Sequence, residues 1–376
     1  MFLCGKNNYS ITVELRLIIY YINKMEKFYY CFLVVLVFNK TCAQDSTYVK
    51  TYPDHVQIKT GLSYNALNLT LNPRLKGVTD FFKPILYRPS VRSGMGLDVQ
   101  FKGISIGWSF GIPQNKLLNK SQAESKYSDF QFHSLGKKIG YDFYHQDYQG
   151  YFIENLQRRL DGVALDSRPD LRVKNISTNV FYVFNGEKFS YSAAFSQDHK
   201  QLKNAGSIIV ASSFGYFNVQ GDTSFIPEDA QINFNSKANI NTLTIYTFAV
   251  IPGYAYTYLI GKKGWHLSAS ASGFIGLQYN DGASTFADDT VYNYFFKGIG
   301  RACVGHHGDS WVYGVAAMTD IQGLNTRYVQ YGTVNLGITA SCSYKFKTKF
   351  MQGKKSFFGK KPAAKKDSSP LEQKLN

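Results

Sequence analysis

Apolar and polar residues alternate strictly over the thirteen residues from Val334 to Phe346, near the C-terminal end of the chain. The odd positions of this segment are small or polar, and its even positions are Val334, Leu336, Ile338, Ala340, Cys342, Tyr344 and Phe346. Such alternation is typical of a β-strand, whose successive side chains point to opposite faces. The length exceeds the roughly five or six residues of an average strand and satisfies the roughly nine to eleven that a tilted strand needs to cross a bilayer. The segment therefore predicts a membrane-spanning strand.

The same alternation recurs at least ten times, and tight turns join several of the predicted strands. The clearest hairpin joins 91–101 to 104–112 through Lys102–Gly103, a two-residue turn. Further hairpins are predicted between 180–184 and 189–195 with Asn185–Gly186 as the turn, between 254–260 and 265–271, and between 302–304 and 311–317. Further strands are predicted at 55–71, 128–135, 139–148 and 206–217. The count is thirteen strands, but an odd number of antiparallel strands cannot return both termini of a barrel to the same side. The predicted fold class is all-β, a transmembrane antiparallel up-and-down β-barrel of 12–14 strands over residues 55–346.

The two faces of these strands predict two classes of position. Positions on the polar face are predicted to line the lumen: Arg92, Asp98, Gln100, Ser105, Ser109, His266, Asn335, Thr339 and Ser341. Aromatic residues near the short turns resemble the girdle that anchors membrane barrels at the lipid–water interface. Interface positions are predicted for Phe101, Trp108, Phe184, Phe189, Trp265, Trp311, Tyr344 and Phe346.

Long polar connections are predicted at the other end of the strands. They lie at 113–127, 149–172, 197–205, 218–239, 280–292 and 320–328. Short turns on one side and long loops on the other are typical of outer-membrane barrels, in which the short turns are periplasmic. The strongest alternative is a soluble, secreted β-sandwich or barrel that acts as a binding module, because its apolar rows would face a core. Its outer rows would carry charge, whereas the polar rows here are mostly Ser, Gly, Thr and Asn.

The N-terminal region resembles an export signal that begins at a second methionine, Met25. Lys27 supplies a basic start, 28–38 is an apolar run of suitable length, and 41–43 supplies small residues for cleavage. Eleven apolar residues are too few to span a bilayer as a helix. We therefore expect an upstream extension and signal peptide at 1–43, with the signal at about 25–43, followed by a periplasmic segment at 44–54. The expected location is the outer membrane.

The formal net charge of +16 is concentrated in a basic C-terminal tail. Residues 347–376 contain nine lysines against Asp367 and Glu372, and a disordered tail is expected there. A periplasmic contact with anionic lipid headgroups or peptidoglycan is the alternative to a solvated tail. Nucleic acid is not an expected partner, because the sequence shows neither a basic stripe on a predicted face nor a nucleic-acid-binding motif.

Candidate catalytic groups are densest at 141–147, where His145 could act as a base with Asp142 or Asp147. On a strand, however, Asp142 points away from His145, and an aromatic girdle with a polar rim accounts for the segment without catalysis. The strand-to-helix turn that holds the serine of a hydrolase elbow is not predicted anywhere. His306–His307 lies in a glycine-flanked turn, and a solvated turn is a simpler interpretation than a metal site. No catalytic residue, metal ligand or cofactor is therefore expected.

A series of short motifs occurs in order along the chain. They are Asp45–Tyr48, Tyr87–Pro89, Asp129–Gln131, Asp142–Tyr144, Arg168–Leu171, Phe181–Asn185, Phe189–Phe195, Ala205–Ser207 and Pro252–Tyr254. Together they resemble the bacterial family called domain of unknown function 4421, over about Asp45 to Phe346. The resemblance implies an exported outer-membrane β-barrel and implies no activity. The basic tail beyond Phe346 departs from a barrel that stops at its last strand.

A barrel of this size favours a passive pore or transport component for small solutes. The alternatives are a structural or surface-interaction barrel without conductance, a barrel hydrolase, and the soluble binding module. The expected partners are outer-membrane lipid and the barrel-assembly machinery.

Overall fold

The computed structural model describes residues 44–74, 84–112, 126–154, 159–160, 163–164, 167–261, 263–281 and 291–348. The predicted signal peptide and the basic tail from 349 onward lie outside them. The strands are β1 Val49–Lys50, β2 His55–Pro73, β3 Ile85–Pro89, β4 Ser93–Phe101, β5 Ile104–Gly111, β6 Lys126–Leu135, β7 Ile139–Ile153, β8 Arg159–Leu160, β9 Val163–Ala164, β10 Ser167–Val183, β11 Lys200–Gln201, β12 Ala205–Gln220, β13 Thr242–Ile260, β14 Trp265–Asp281, β15 Val291–His307, β16 Trp311–Asn325 and β17 Val329–Lys347. A π-helical turn lies at Ser192–Ser196, and 3-10 helices lie at Glu228–Asn233 and Ser236–Ala238. In these described ranges no helix has the length and apolar character needed to span a membrane.

One large antiparallel sheet closes on itself to form a barrel. The last strand, β17, pairs with β2 over nineteen residues, from Val329 opposite Pro73 to Lys347 opposite His55. The circle runs β2-β4-β5-β6-β7-β10-β12-β13-β14-β15-β16-β17 and returns to β2, which makes twelve strands. The predicted transmembrane antiparallel barrel is confirmed, at the lower end of the predicted strand number. The end at which β2 begins and β17 ends is called proximal here, and the opposite end distal.

The wall changes its strand number between the two ends. Strands β4, β5 and β6 are short, and beyond their distal limit β3 takes their place, pairing with β2 at 69–71 and with β7 at 151–153. The proximal part of the wall therefore has twelve strands and the distal part ten. Because a barrel with fewer strands has a smaller diameter, the distal part is the narrower one.

The outer surface of the barrel carries a broad apolar belt. Leu62, Trp108 and Leu277 are 64%, 61% and 54% exposed, and they lie on three different strands. A soluble protein rarely exposes contiguous apolar area on this scale, whereas lipid-facing rows of a membrane barrel do. The surface therefore disfavours the soluble sandwich alternative.

A charge on this belt distinguishes a membrane barrel from a soluble one. Leu62 lies near the middle of β2, so we expect Leu62→Arg to lower the free energy of unfolding by about 2–4 kcal/mol in lipid. The measurement is denaturant unfolding of the refolded protein in vesicles. The matched control is Ile232→Arg, because Ile232 is 88% exposed outside the strands and should tolerate charge. Equal stability of the two variants would contradict a lipid-facing Leu62.

Apolar side chains form most of the distal half of the lumen, which also holds the buried Lys297–Asp320 ion pair of β15 and β16. Inward side chains there are fully buried, and the connection 221–241 between β12 and β13, named the cap, adds Phe225 and Ile226 to the same cluster. The Tyr87 hydroxyl donates a hydrogen bond to the Phe225 carbonyl. The largest wall residues of this core are Leu67, Leu69, Leu71, Tyr87, Tyr148, Tyr151, Phe295 and Tyr331.

The connection between β10 and β12 corrects one predicted hairpin. Residues 189–195 do not form a strand, because both edges of β10 are already occupied by β7 and β12. Residues 184–204, named the plug, instead fold back into the proximal half of the lumen. Phe189 is fully buried in the plug, so its predicted place in the aromatic interface is wrong. β1 pairs with β11 of the plug, which ties the N-terminal segment to it.

Two other boundaries differ from the prediction. β12 and β13 pair in register from Ala205–Thr257 to Gln220–Thr242, so β13 begins twelve residues before the predicted strand at 254. β16 extends to Asn325, which shortens the predicted loop 320–328 to a turn. The predicted long connections at 113–127 and 280–292 fall largely outside the described residues.

Candidate functional site

A polar chamber of about 220 Å³ lies between the distal hydrophobic core and the plug. Its wall comes from β2, β4, β5, β6, β7, β15, β16 and β17, and plug residues 195–197 form its proximal side. Polar side chains dominate the lining because the inward row of each of these strands is polar in its proximal half. The ionisable groups that line it are Lys59, Asp98, Asp129, His133, Asp142 and Arg301.

Eight of the nine residues predicted to line the lumen face it. Asp98, Ser105, Ser109, Asn335, Thr339 and Ser341 line the chamber itself. Gln100 and His266, at 1% and 4% exposure, lie nearer the plug. Arg92 is the exception: it lies in the connection between β3 and β4, and its guanidinium donates to the outward Tyr64 hydroxyl at 3.0 Å. Because the strand alternation starts only at Ser93, parity assigned Arg92 to the wrong face.

The predicted interface aromatics, apart from Phe189, lie on the outer face. Phe184, Trp265, Trp311 and Phe346 are exposed at the proximal strand ends, and the Tyr344 ring packs between Trp311 and Phe346 at 4.9 and 4.7 Å. Phe101 is half-buried beside the Lys102–Gly103 turn, where both residues have positive φ. Trp108 lies farther along β5, and its indole N–H donates to the Ser128 hydroxyl at 3.0 Å.

A buried ion pair crosses the lumen. Arg301 on β15 donates to Asp142 Oδ2 on β7 at 2.6 Å, and these strands are five steps apart along the wall in one direction and seven in the other. The same guanidinium donates to the Tyr144 hydroxyl at 2.9 Å, and His133 Nδ1 lies 2.8 Å from Asp142 Oδ1. The side chains of Asp142 and Arg301 are only 1% and 10% exposed. The pair therefore braces opposite walls of the chamber.

A second, amide-based bridge runs parallel to the ion pair. Asn335 on β17 donates to Gln146 Oε1 on β7 at 3.0 Å, and Asn175 on β10 donates to the same oxygen at 2.9 Å. The Gln146 amide nitrogen donates in turn to Asp129 Oδ2 at 3.2 Å. One strand, β7, thus supplies the acceptor side of both bridges.

Polar bonds from the wall hold the plug. Lys59 and Gln100 both donate to the Ser196 carbonyl, at 3.0 and 3.1 Å, and Gln57 donates to the Gln197 carbonyl at 3.3 Å. Gln197 has a φ of 64°, and its side chain donates to Cys303 Sγ at 3.3 Å. These side chain-to-backbone bonds act beside an apolar contact: Phe189 and Tyr191 of the plug belong to the same buried cluster as Phe181 of β10, and the Phe181 and Tyr191 ring centroids are 4.5 Å apart.

Tyr191 connects the plug to the ion pair. The Arg301 guanidinium lies 5.4 Å from the Tyr191 ring centroid, a cation–π distance. Burial raises the pKa of Tyr191 to about 12, although the Arg301 charge opposes this effect. The hydroxyl is therefore neutral at physiological pH, and the contact remains one between a cation and a neutral ring.

The cap is fastened by one arginine of β10. Arg168 donates to the Ser224 and Thr223 carbonyls at 2.8 and 3.2 Å, and its salt bridge to Asp170 places that carboxylate to accept from the Asp222 amide at 3.0 Å. Pro169 sits at the register shift between Arg168 and Arg172, where the ladder does not need its missing N–H.

Removing this fastener should loosen the cap. Hydrogen bonds to a charged group contribute about 1.5–3 kcal/mol each, so we expect Arg168→Ala to speed cleavage of the cap about tenfold or more. The measurement is limited trypsin digestion at Lys237, which is exposed in the cap. Arg172→Ala is the control, because Arg172 bonds to Asp147 on the outer face. Equal cleavage rates in the two variants would show that Arg168 does not hold the cap.

The geometry separates the residues of the hydrolase alternative. Asp142 faces the lumen, while His145 lies on the opposite face of β7, and Asp147 is bound by Arg172 at 2.8 Å. Ser105 and Ser109 lie in Gly-x-Ser-x-Gly patterns at 103–107 and 107–111, but these patterns run along strand β5 and not through a strand-to-helix turn.

The histidine pair at the β15–β16 turn differs from the predicted solvated turn. His307 is 2% exposed, with its Nδ1 3.4 Å from Lys345 Nζ, and the His306 ring stacks on Tyr313 at 4.8 Å. In the described ranges, no three His, Cys, Asp or Glu side chains form a group that could hold a metal ion. Cys303 and Cys342 are free thiols on opposite faces.

Four charged or titratable lumen residues were not predicted there from the sequence: Asp129, His133, Asp142 and Arg301. The signal for the first two was present, since Tyr127, Asp129, Gln131 and His133 form an alternating polar row against Phe130 and Phe132. Asp142 and Arg301 each lie within an alternating strand, but 159 residues separate them. Their proximity depends on closure of the barrel, which no local pattern indicates.

Comparison with known proteins gives a family. The sequence pattern of the family described as Domain of unknown function (DUF4421) matches residues 43–346. No curated protein matches the chain. Similar solved structures include the outer membrane protease OmpT from Escherichia coli, at 8% identity over 82% of this chain and 100% of that chain with a TM-score of 0.34. The translocator domain of the autotransporter NalP from Neisseria meningitidis has 12% identity over 78% and 88%, with a TM-score of 0.35.

The toluene transporter TodX from P. putida is a further similar structure, at 7% identity over 79% of this chain and 91% of that chain, with a TM-score of 0.26. These three similar structures are thus a protease, a translocator domain and a transporter. At these scores none of the three assigns an activity to this chain.

Proposed function

The chain belongs to the family described as Domain of unknown function (DUF4421), and we propose that this member is a gated transport component of the outer membrane for small polar solutes. The observation that carries the proposal is the arrangement of the lumen. A polar chamber lies in the middle, and the closures on its two sides include separate chain segments, the plug and the cap. Both segments flank β12, one before it and one after it.

A permanently filled barrel would be built differently. In barrels of about eight strands the wall side chains alone fill the interior, whereas a wider wall leaves space. Here twelve strands surround the proximal half, and the plug occupies part of that space through hydrogen bonds to its backbone carbonyls. The polar attachments can exchange with water when the segment moves, so displacement of the plug has to break chiefly the apolar contact of Phe189 and Tyr191 with the wall.

The lining of the chamber also suits a polar solute. Several buried atoms facing the lumen have no hydrogen-bond partner among the described residues, including Asp98 Oδ1, Asp129 Oδ1 and Arg301 Nε. Buried polar groups are normally paired with protein, water or ligand. A hydrated chamber or a bound polar solute supplies these partners.

The orientation follows from the loops. Apart from the plug, the proximal end carries short turns, and β2 begins and β17 ends there, at His55 and Lys347. In outer-membrane barrels this is the periplasmic side, and the distal end is then extracellular. The aromatic residues at the proximal strand ends support an interface at that level. The partners in this arrangement are outer-membrane lipid and the barrel-assembly machinery.

A structural or surface-interaction barrel is the second candidate. The distal hydrophobic core favours it, because fully buried Leu71, Tyr151 and Tyr331 belong to the wall and stay in place without the cap, although the buried Lys297–Asp320 ion pair lies in the same half. In that case the barrel would not conduct in any state, and its distal loops would be the functional surface.

Planar-bilayer recording distinguishes the two candidates. The transport proposal expects little conductance from the intact barrel and a stable conductance once both closures are removed. A correctly folded barrel that stays silent without plug and cap would overturn the proposal and leave the interaction barrel.

A further inference from the structure

Two carboxylates that line the chamber form no salt bridge within the described part of the chain. Asp98 on β4 accepts from the Ser105 hydroxyl at 2.5 Å through Oδ2, and Asp129 on β6 accepts from Gln146 through Oδ2. In both residues Oδ1 is buried and has no hydrogen-bond partner in the described part of the chain. Asp129 is only 2% exposed. A buried carboxylate oxygen without a donor is costly, so each of these sites favours an added donor.

The basic groups of the chamber are already occupied. Arg301 pairs with Asp142, and His133 Nδ1 lies against the same carboxylate. Lys59 lies opposite Asp98 in the β2–β4 register, but its ammonium donates to the Ser196 carbonyl of the plug. None of these cations forms a salt bridge with Asp98 or Asp129 in the described residues, so both carboxylates remain available to a donor.

The other buried atoms without partners leave the two carboxylates as the main acceptors. Among the residues that line the chamber, three described atoms lack a partner: Asp98 Oδ1, Asp129 Oδ1 and Arg301 Nε, and the arginine is already paired with Asp142. Nearer the plug, Gln57 Oε1 and Gln100 Oε1 are further acceptors, whereas His55 Nδ1 and His307 Nε2 are ring nitrogens. A ligand with N–H donors and a positive charge satisfies the two carboxylates.

The size of the chamber limits the ligand. Its volume of about 220 Å³ is below the roughly 300–1,000 Å³ of pockets for drug-sized ligands. The site therefore suits a small amine of a few heavy atoms better than a peptide or an oligosaccharide.

We infer that the chamber is a binding site for a small organic cation, whose N–H groups donate to Asp98 and Asp129. As the solute class of the transporter, this assignment rests on the proposed transport function. As a binding site it is measured without any conductance, so the two proposals fail separately.

The test is equilibrium dialysis of the full chain, folded in detergent micelles, against labelled butylammonium, with butyrate and butanol as the anionic and neutral probes of the same size. We expect saturable binding of butylammonium alone. Asp129→Asn and Asp98→Asn keep the shape of each side chain and remove its charge, and each should weaken binding about tenfold or more. Asp309→Asn is the matched control, because Asp309 is exposed in the turn between β15 and β16.

Folding of each variant is checked by heat-modifiable migration on a gel, and two independent carboxylates keep the test informative if one variant fails to fold. The inference is overturned if butylammonium does not saturate, if butyrate binds equally, or if Asp309→Asn weakens binding as much as the chamber variants. Saturable, Asp129-dependent binding by a barrel that never conducts would support the site and refute transport.

Discussion

A barrel that lacks both the plug and the cap is expected to conduct ions steadily, whereas the intact barrel is expected to be nearly silent. Residues 187–203 are removed so that Asn185–Gly186 leads directly to Asn204, and residues 222–240 are removed so that Gly221–Asn241 becomes a two-residue turn. The second design follows the existing register, in which Gln220 faces Thr242, and Gly-Asn is a favoured hairpin turn. We expect conductance to rise about tenfold or more, because the twelve-strand proximal half is wider than its own side chains fill and the cap side chains Phe225 and Ile226 leave the ten-strand distal half.

The single deletions are the controls for this experiment. Removal of the plug alone leaves the distal hydrophobic core with Phe225 and Ile226 in place. Removal of the cap alone leaves the plug in place, with its carbonyls hydrogen-bonded to Lys59, Gln57 and Gln100. Each single variant should therefore conduct much less than the double variant. Heat-modifiable migration establishes that each barrel is folded, and a folded but silent double variant would refute gated transport.

The ion pair across the lumen is expected to stabilise the barrel strongly against loss of either partner. Asp142→Asn leaves Arg301 charged and buried, and Arg301→Met leaves Asp142 at 1% exposure with only His133 beside it. Breaking a buried pair by removing one partner costs about 3–5 kcal/mol, because the remaining charge is uncompensated. The measurement is the free energy of unfolding in guanidinium, with the barrel refolded in micelles.

The double variant measures the interaction between Asp142 and Arg301 separately from the contribution of each residue. Asp142→Asn combined with Arg301→Met removes both charges, so its cost should be well below the sum of the two single costs. Arg88→Met is the control for an exposed pair, since Arg88 and Glu154 are 33% and 41% exposed, and its expected cost is about 0–1 kcal/mol. Additive costs for Asp142 and Arg301 would mean that the two residues do not act as a bridge.

Much of the wall could be predicted because strand alternation is a local property. The row from Val334 to Phe346 lies within β17, with Asn335, Thr339 and Ser341 on the lumen face, and Gly103 marks a tight turn through its positive φ. Local alternation failed at Phe189. The plug has an alternating sequence, but a strand forms only where a free sheet edge accepts it, and both edges of β10 are occupied.

The site was less predictable than the wall for a related reason. Parity assigns Asp98 or Ser105 to the lumen, but it does not reveal which lumen residues lie opposite each other. Asp142 and Arg301 are 159 residues apart, and Gln146 and Asn335 are 189 apart. Each pair meets only because the pairing of β17 with β2 curves the sheet into a closed ring.

The amino-acid sequence alone determined that this chain forms a membrane barrel, because the period-two alternation of apolar and polar residues selects a lipid face and a lumen face strand by strand. The tertiary structure decided what fills the lumen. Closure of twelve strands left more space than the wall side chains occupy, and the energetic need to pair buried polar groups and cover apolar ones drew the plug, the cap and the cross-lumen bridges into it.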